Sequence, residues 1–142
     1  MVTETSPDFA SRCIMKVIGA PYSHACIIYD DMVYHCIGRG VCVQNLKEGL
    51  HNSFICGEKE VELKCDESTF LAFIEGARGK DYSESQLIGF LMPKWLRRYF
   101  TDGRSEIICS EFVAWVLVTF TDIKFKQDID FITPKELFEA IP

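Results

Sequence analysis

Apolar residues recur at helical spacing from Phe9 through Cys13 to Val17, with Ile14 and Ile18 beside them. This predicts an opening helix. Ser6–Pro7 suits its start, Ser as N-cap and Pro in the first turn. Gly19 and Pro21 suit its end. The period then changes to that of strands. His24–Tyr29 and Met32–Ile37 are β-prone runs separated only by Asp30–Asp31, which predicts a hairpin with a two-residue turn. Gly38 and Gly40 bracket another turn, and Val41–Val43 reads as a third short strand. Asn45–Asn52 is compatible with a short helix. Val61, Leu63 and Cys65 alternate with Glu60, Glu62 and Lys64, the pattern of a half-buried strand.

Asp66 then reads as the N-cap of a helix whose face is Phe70, Phe73, Ile74 and Ala77. Lys80–Ser83 reads as loop. Glu84–Met92 and Lys94–Phe100 read as helical on either side of Pro93, and Thr101–Asp102–Gly103 as a turn. Ser105–Phe120 is the most apolar run and predicts the central helix. Ile123–Phe125 fits a short strand. Thr133, Pro134 and Glu136 form a capping box ahead of the final helix. Strands cluster early and helices late, so the fold class expected is α+β, an antiparallel sheet in a single domain over 1–142.

Composition narrows the function classes. The chain has 142 residues and a formal net charge of −6. Beyond Lys94–Arg98 it has no basic cluster, so neither nucleic acid nor an anionic membrane surface is an expected partner. The first ten residues carry acid rather than a basic leader, and no apolar run reaches the length of a membrane span. Seven cysteines, an odd count, sit mostly in apolar settings. This fits a reducing, cytoplasmic environment better than a disulfide scaffold. No CxxC pair is present, so no metal site is expected.

Three residues stand out chemically. Cys109 lies near the start of the central helix, where unpaired N–H groups and the helix dipole favour a thiolate and could also hold an oxyanion. It could equally be one more buried cysteine. His24 opens a strand after a Pro-containing loop and is a candidate base, or a structural histidine. With a two-residue turn at Asp30–Asp31, Cys26 pairs with His35, so His24 becomes the diagonal neighbour of His35 on one sheet face. His35 could then orient His24, or the two could be a solvated polar pair. His51 has no comparable context.

These segments also resemble a known family. Pro21-Tyr-Ser-His-Ala-Cys-Ile-Ile-Tyr and Val33-Tyr-His-Cys-Ile resemble the histidine strand and following strand of the circularly permuted NlpC/P60 papain-like thiol hydrolases. Cys109-Ser-Glu-Phe-Val resembles the nucleophile helix of their YiiX-like branch, and Thr133-Pro-Lys-Glu-Leu the opening of the last helix. Gly79-Lys-Asp-Tyr-Ser resembles a Gly-x-x-Tyr-Asp loop with Ser83 in place of Asp. The matches run in family order over residues 20–138. His35 is the third residue used by the related lecithin–retinol acyltransferase-like group, whereas Cys-Ser-Glu departs from that group's Asn-Cys-Glu.

The resemblance implies a permuted papain-like fold and a cofactor-free cysteine peptidase or amidase. Cys109 would be nucleophile, His24 base and His35 its orienting partner, with the Tyr22 hydroxyl helping at the oxyanion. The implied substrate is a peptide or another acyl-amide, an isopeptide or cell-wall peptide among them. Acyl transfer or thioester cleavage on a lipid acyl group, and a non-catalytic binding protein on the same fold, are the alternatives.

Overall fold

The computed structural model describes residues 1–6, 8–51, 53–82, 106–126 and 128–142. Along the chain the elements are β1 (Val2–Thr5), α1 (Phe9–Ile18), β2 (His24–Tyr29), β3 (Met32–Ile37), β4 (Gly40–Asn45), α2 (Leu46–Gly49) and β5 (Phe54–Glu58). Then come α3 (Glu67–Ala77), β6 (Asp81–Tyr82), β7 (Glu106–Ile107), α4 (Cys109–Phe120), a 3₁₀ turn (Ile129–Phe131) and α5 (Pro134–Ala140). The helices predicted over Glu84–Met92 and Lys94–Phe100, with the turn at Thr101–Gly103, lie outside the described residues.

The β2–β3 hairpin sets the register of the sheet. Asp30 and Asp31 both take positive φ, 49° and 58°. That left-handed pair matches the twist of the flanking strands, and Asp tolerates it better than most residues. Tyr29 therefore pairs with Met32 and Ile27 with Tyr34. β4 adds on the far side of β3, with His35 opposite Cys42 and Val33 opposite Gln44. β1 adds beside β2, and β5 beside β1, giving an antiparallel five-stranded order β4-β3-β2-β1-β5. The expected α+β class with an antiparallel sheet is what the chain adopts.

Helix α4 lies across β2 and β3. Phe112, Val113, Val116 and Leu117 are buried on it, and they meet Ala25, Ile27, Tyr34 and Cys36 of the hairpin and Phe70 and Ile74 of α3. Being apolar on nearly every side, α4 can only be an interior helix. Its burial is what holds Cys109 at a fixed place against the sheet.

Several expectations are corrected. The first helix starts one step later than Ser6–Pro7: Asp8 is the N-cap, its carboxylate accepting from the Ser11 N–H at 2.8 Å. Gly19 ends it in the left-handed conformation, φ 63°. Val61–Cys65 is not a strand. Its apolar residues do pack against the core, but without a ladder; the same holds for Ile123 and Phe125. Alternation reports which side is buried, not whether backbone groups pair across strands. The ladder forms instead at β1 and β5, two strands whose sequences show no alternation. Asp81–Tyr82, expected as loop, pairs in parallel with Glu106–Ile107. The central helix begins at Cys109 rather than Ser105, because Glu106–Ile107 is strand and Ile108 is the N-cap.

The capping box of α5 is present in full. Thr133 Oγ1 accepts from the Glu136 N–H at 3.2 Å, and the Glu136 carboxylate accepts from the Thr133 N–H at 3.0 Å. Thr133→Ala is expected to lower stability by about 1 kcal/mol, read as a shifted urea midpoint at unchanged slope. An unshifted midpoint would show that the box contributes nothing.

Candidate active site

α4 begins at Cys109. Ile108 has no polar side chain with which to cap the first-turn N–H groups. Ser110 fixes the start of the helix differently: its buried hydroxyl donates to the Ile132 carbonyl at 2.6 Å. Ile132 directly precedes the Thr133 box, so the starts of α4 and α5 are tied together. Cys109 itself is only 7% exposed.

Cys109, His24 and His35 line one cavity of about 460 Å³. The hairpin register accounts for the two histidines. His24 Nε2 and His35 Nδ1 stand 3.4 Å apart, with the rings nearly edge to face at 73°. Sequence analysis did not find the next member, Gln44, whose Oε1 lies 2.7 Å from His35 Nε2. His35 faces Cys42 across β3–β4, so Gln44, two residues on, shares its face of the sheet. The strand reading stopped at Val43, one residue short.

This chain of contacts determines the tautomers. The amide oxygen of Gln44 can only accept, so His35 Nε2–H donates to it. His35 Nδ1 is then an acceptor, and His24 Nε2–H donates to it. The remaining lone pair of His24 is on Nδ1, which makes that atom the basic position of the ring.

Burial, and secondly the charge of His35, pull the His24 imidazole from its ordinary 6.5 down to about 3. Burial lowers His35 as well; its bond to Gln44 opposes that shift and the cation of Arg39 adds to it. Both rings are neutral at physiological pH. Cys36, next to Tyr34 and His35 on β3, is buried and donates to the Ile107 carbonyl at 3.2 Å. Burial first, then the charge on Cys109, raises its pKa far above the ordinary thiol range. It stays a thiol, as expected of a core cysteine. None of the seven cysteines forms a disulfide.

The other walls mix polar and apolar groups. Ser6 and Ser11 come from the α1 end, Ser23 from the approach to β2, and Glu48, His51 and Ser53 from α2 and the loop after it. Ile14, Ile37, Ile108 and Pro134 supply apolar patches. His51, set aside in the sequence, thus reaches the rim, and only the fold of α2 shows it. Tyr22 is not brought to this cavity. Its buried ring packs on Phe138 of α5 with centroids 5.7 Å apart.

A thiol at a helix start, a neutral imidazole with a fixed tautomer and an open cavity can together support nucleophilic attack on a carbonyl. Among the described residues no group of three or more His, Cys, Asp or Glu is arranged to hold a metal ion, and no helix is long and apolar enough to cross a membrane. Comparison with family models, with curated proteins and with solved structures finds no match for this chain.

Proposed function

We propose that this chain is a thiol hydrolase of the circularly permuted papain-like type and that it cleaves an amide bond. One observation carries the reading: Cys109, the first residue of α4, opens into the same cavity as a His24–His35–Gln44 chain that leaves His24 Nδ1 as the base. Cys109 Sγ attacks the carbonyl carbon while His24 Nδ1 takes the thiol proton. First-turn N–H groups of α4 stabilise the oxyanion, a role no longer asked of Tyr22. The tetrahedral intermediate collapses to a thioester as His24 returns its proton to the departing amine. Water, deprotonated by His24, then releases the acid and restores the thiol.

The serines, histidines, Gln44 and Glu48 of the wall offer hydrogen-bonding groups to the carbonyl and N–H groups that flank an amide bond. The non-catalytic alternative gives no reason for a histidine pair, half-buried at His24 and buried at His35, with a fixed tautomer.

The test is to mix the protein with a peptide nitrophenyl ester and locate the acyl adduct by mass and peptide mapping. Cys109 is expected to carry it although Cys109 is 7% exposed and Cys56 is exposed. Cys109→Ala should abolish the adduct. An adduct that forms on Cys56 and not on Cys109 would sink the hydrolase reading.

A further inference from the structure

Resting on the hydrolase reading, we infer that the cavity selects a substrate carrying a positively charged amine and that Glu48 is the residue that receives it. Glu48 is the only carboxylate among the described residues that line the cavity, and no Lys or Arg among them lines it. Arg39 acts on His35 from the β3–β4 turn and does not line the cavity. A wall with one fixed negative charge and no fixed positive charge attracts cations and repels anions.

The position of Glu48 is set by β4, the strand whose Gln44 bonds His35. β4 carries Gln44 and ends at Asn45, whose side chain accepts from the Glu48 N–H at 3.0 Å and so caps α2. Behind Glu48, Gly49 sits so close to Val33 of β3 that a Cβ there would lie 2.7 Å from the valine side chain. α2 is thus pressed against the hairpin, and the carboxylate is held at the rim of the cavity in which Cys109 lies. It is exposed, so an amine can reach it without a large desolvation cost. The amine could be the amino terminus of a peptide or an amine on a side chain of the acyl part. Both are the same chemistry for Glu48.

Thiol-directed reagents read this field at Cys109 without knowledge of the natural substrate. The experiment compares modification of Cys109 by a cationic and an anionic methanethiosulfonate, at low salt and about pH 8, above the ordinary titration range of histidine. The cationic reagent is expected to be faster by about tenfold, the size of a single-charge field across a small cavity. Glu48→Gln should bring the ratio near one, and Glu48→Asp should keep the preference. Two activated thioesters then separate the sources of the amine: alanyl with a free amino terminus, and acetyl-lysyl. One of them should outrun acetyl-alanyl in the wild type and lose that advantage in Glu48→Gln. If Cys109 reacts with both reagents and Glu48→Gln leaves their ratio unchanged, this inference falls and the hydrolase reading stands. If Cys109 reacts with neither, the hydrolase reading fails first.

Discussion

His24→Ala is expected to slow acylation of Cys109 by a peptide ester at pH 7 by about a hundredfold or more, the usual contribution of a positioned general base. Simple alkylation of the same thiol by iodoacetamide should slow far less. The difference follows from magnitudes. With its pKa drawn down to about 3, charging His24 at neutral pH costs about 5 kcal/mol. A unit charge pair at contact distance returns about 4 kcal/mol at an effective dielectric near 20. That attraction does not cover the cost of moving the thiol proton to His24 in advance. The resting site therefore holds a neutral imidazole and a thiol, and the proton moves as the sulfur attacks. Acylation reads that step, whereas alkylation reads the thiolate already present. Equal slowing of both reactions would mean that His24 only sets the thiolate population. No slowing of acylation would remove His24 as the base.

The partners of His24 should follow in order. His35 acts on His24 through one hydrogen bond, and Gln44 through two. Loss of His35 should therefore cost more than loss of Gln44. Both effects should appear in the pH profile of acylation, because each releases the His24 tautomer.

The parts of this site that were legible in the sequence are those set by local chemistry. Asp30–Asp31 between two β-prone runs specified the turn. The turn specified the register, and the register placed His24 beside His35. The capping box at Thr133 was legible for the same reason. Parts set by tertiary contact were not. β1 is four residues of Val, Thr and Glu that become strand only because β2 and β5 flank them. Gln44 needed β4 to continue past Val43 to its observed end at Asn45. Glu48 and His51 reach the cavity through α2, four residues long, whose packing on β3 no periodicity could announce. Tyr22 misled because its neighbours in sequence point to the cavity while its own ring is claimed by Phe138.

Acid should destabilise this protein well before its carboxylates protonate. The unfolded chain binds a proton at His24 near the ordinary 6.5, while the folded site resists until about 3. Between those values the unfolded state holds more protons, so stability rises with pH. The sign is that of a depressed group: the contribution is complete above 6.5 and is lost as pH falls toward 3. Each unit of pH across the window is worth about 1.4 kcal/mol per fully shifted group. Discounted for the open cavity, the loss from His24 between pH 6.5 and about 4.5 comes to roughly 2 kcal/mol, and His35, lowered by the same burial, adds in the same direction. The other depressed groups act elsewhere. Asp8 and Asp66 start from an ordinary value of 3.8 and are held lower by their capping bonds, so their loss comes at more acid pH. The amino terminus starts from 8.0, and burial lowers it, so its loss begins at higher pH. Urea melts across pH 4.5 to 6.5 should show a steep slope in the wild type and a shallower one in His24→Gln, which keeps a polar side chain but cannot titrate. Identical slopes in the two proteins would mean that His24 charges freely in the folded state, and the neutral-base mechanism would lose its foundation.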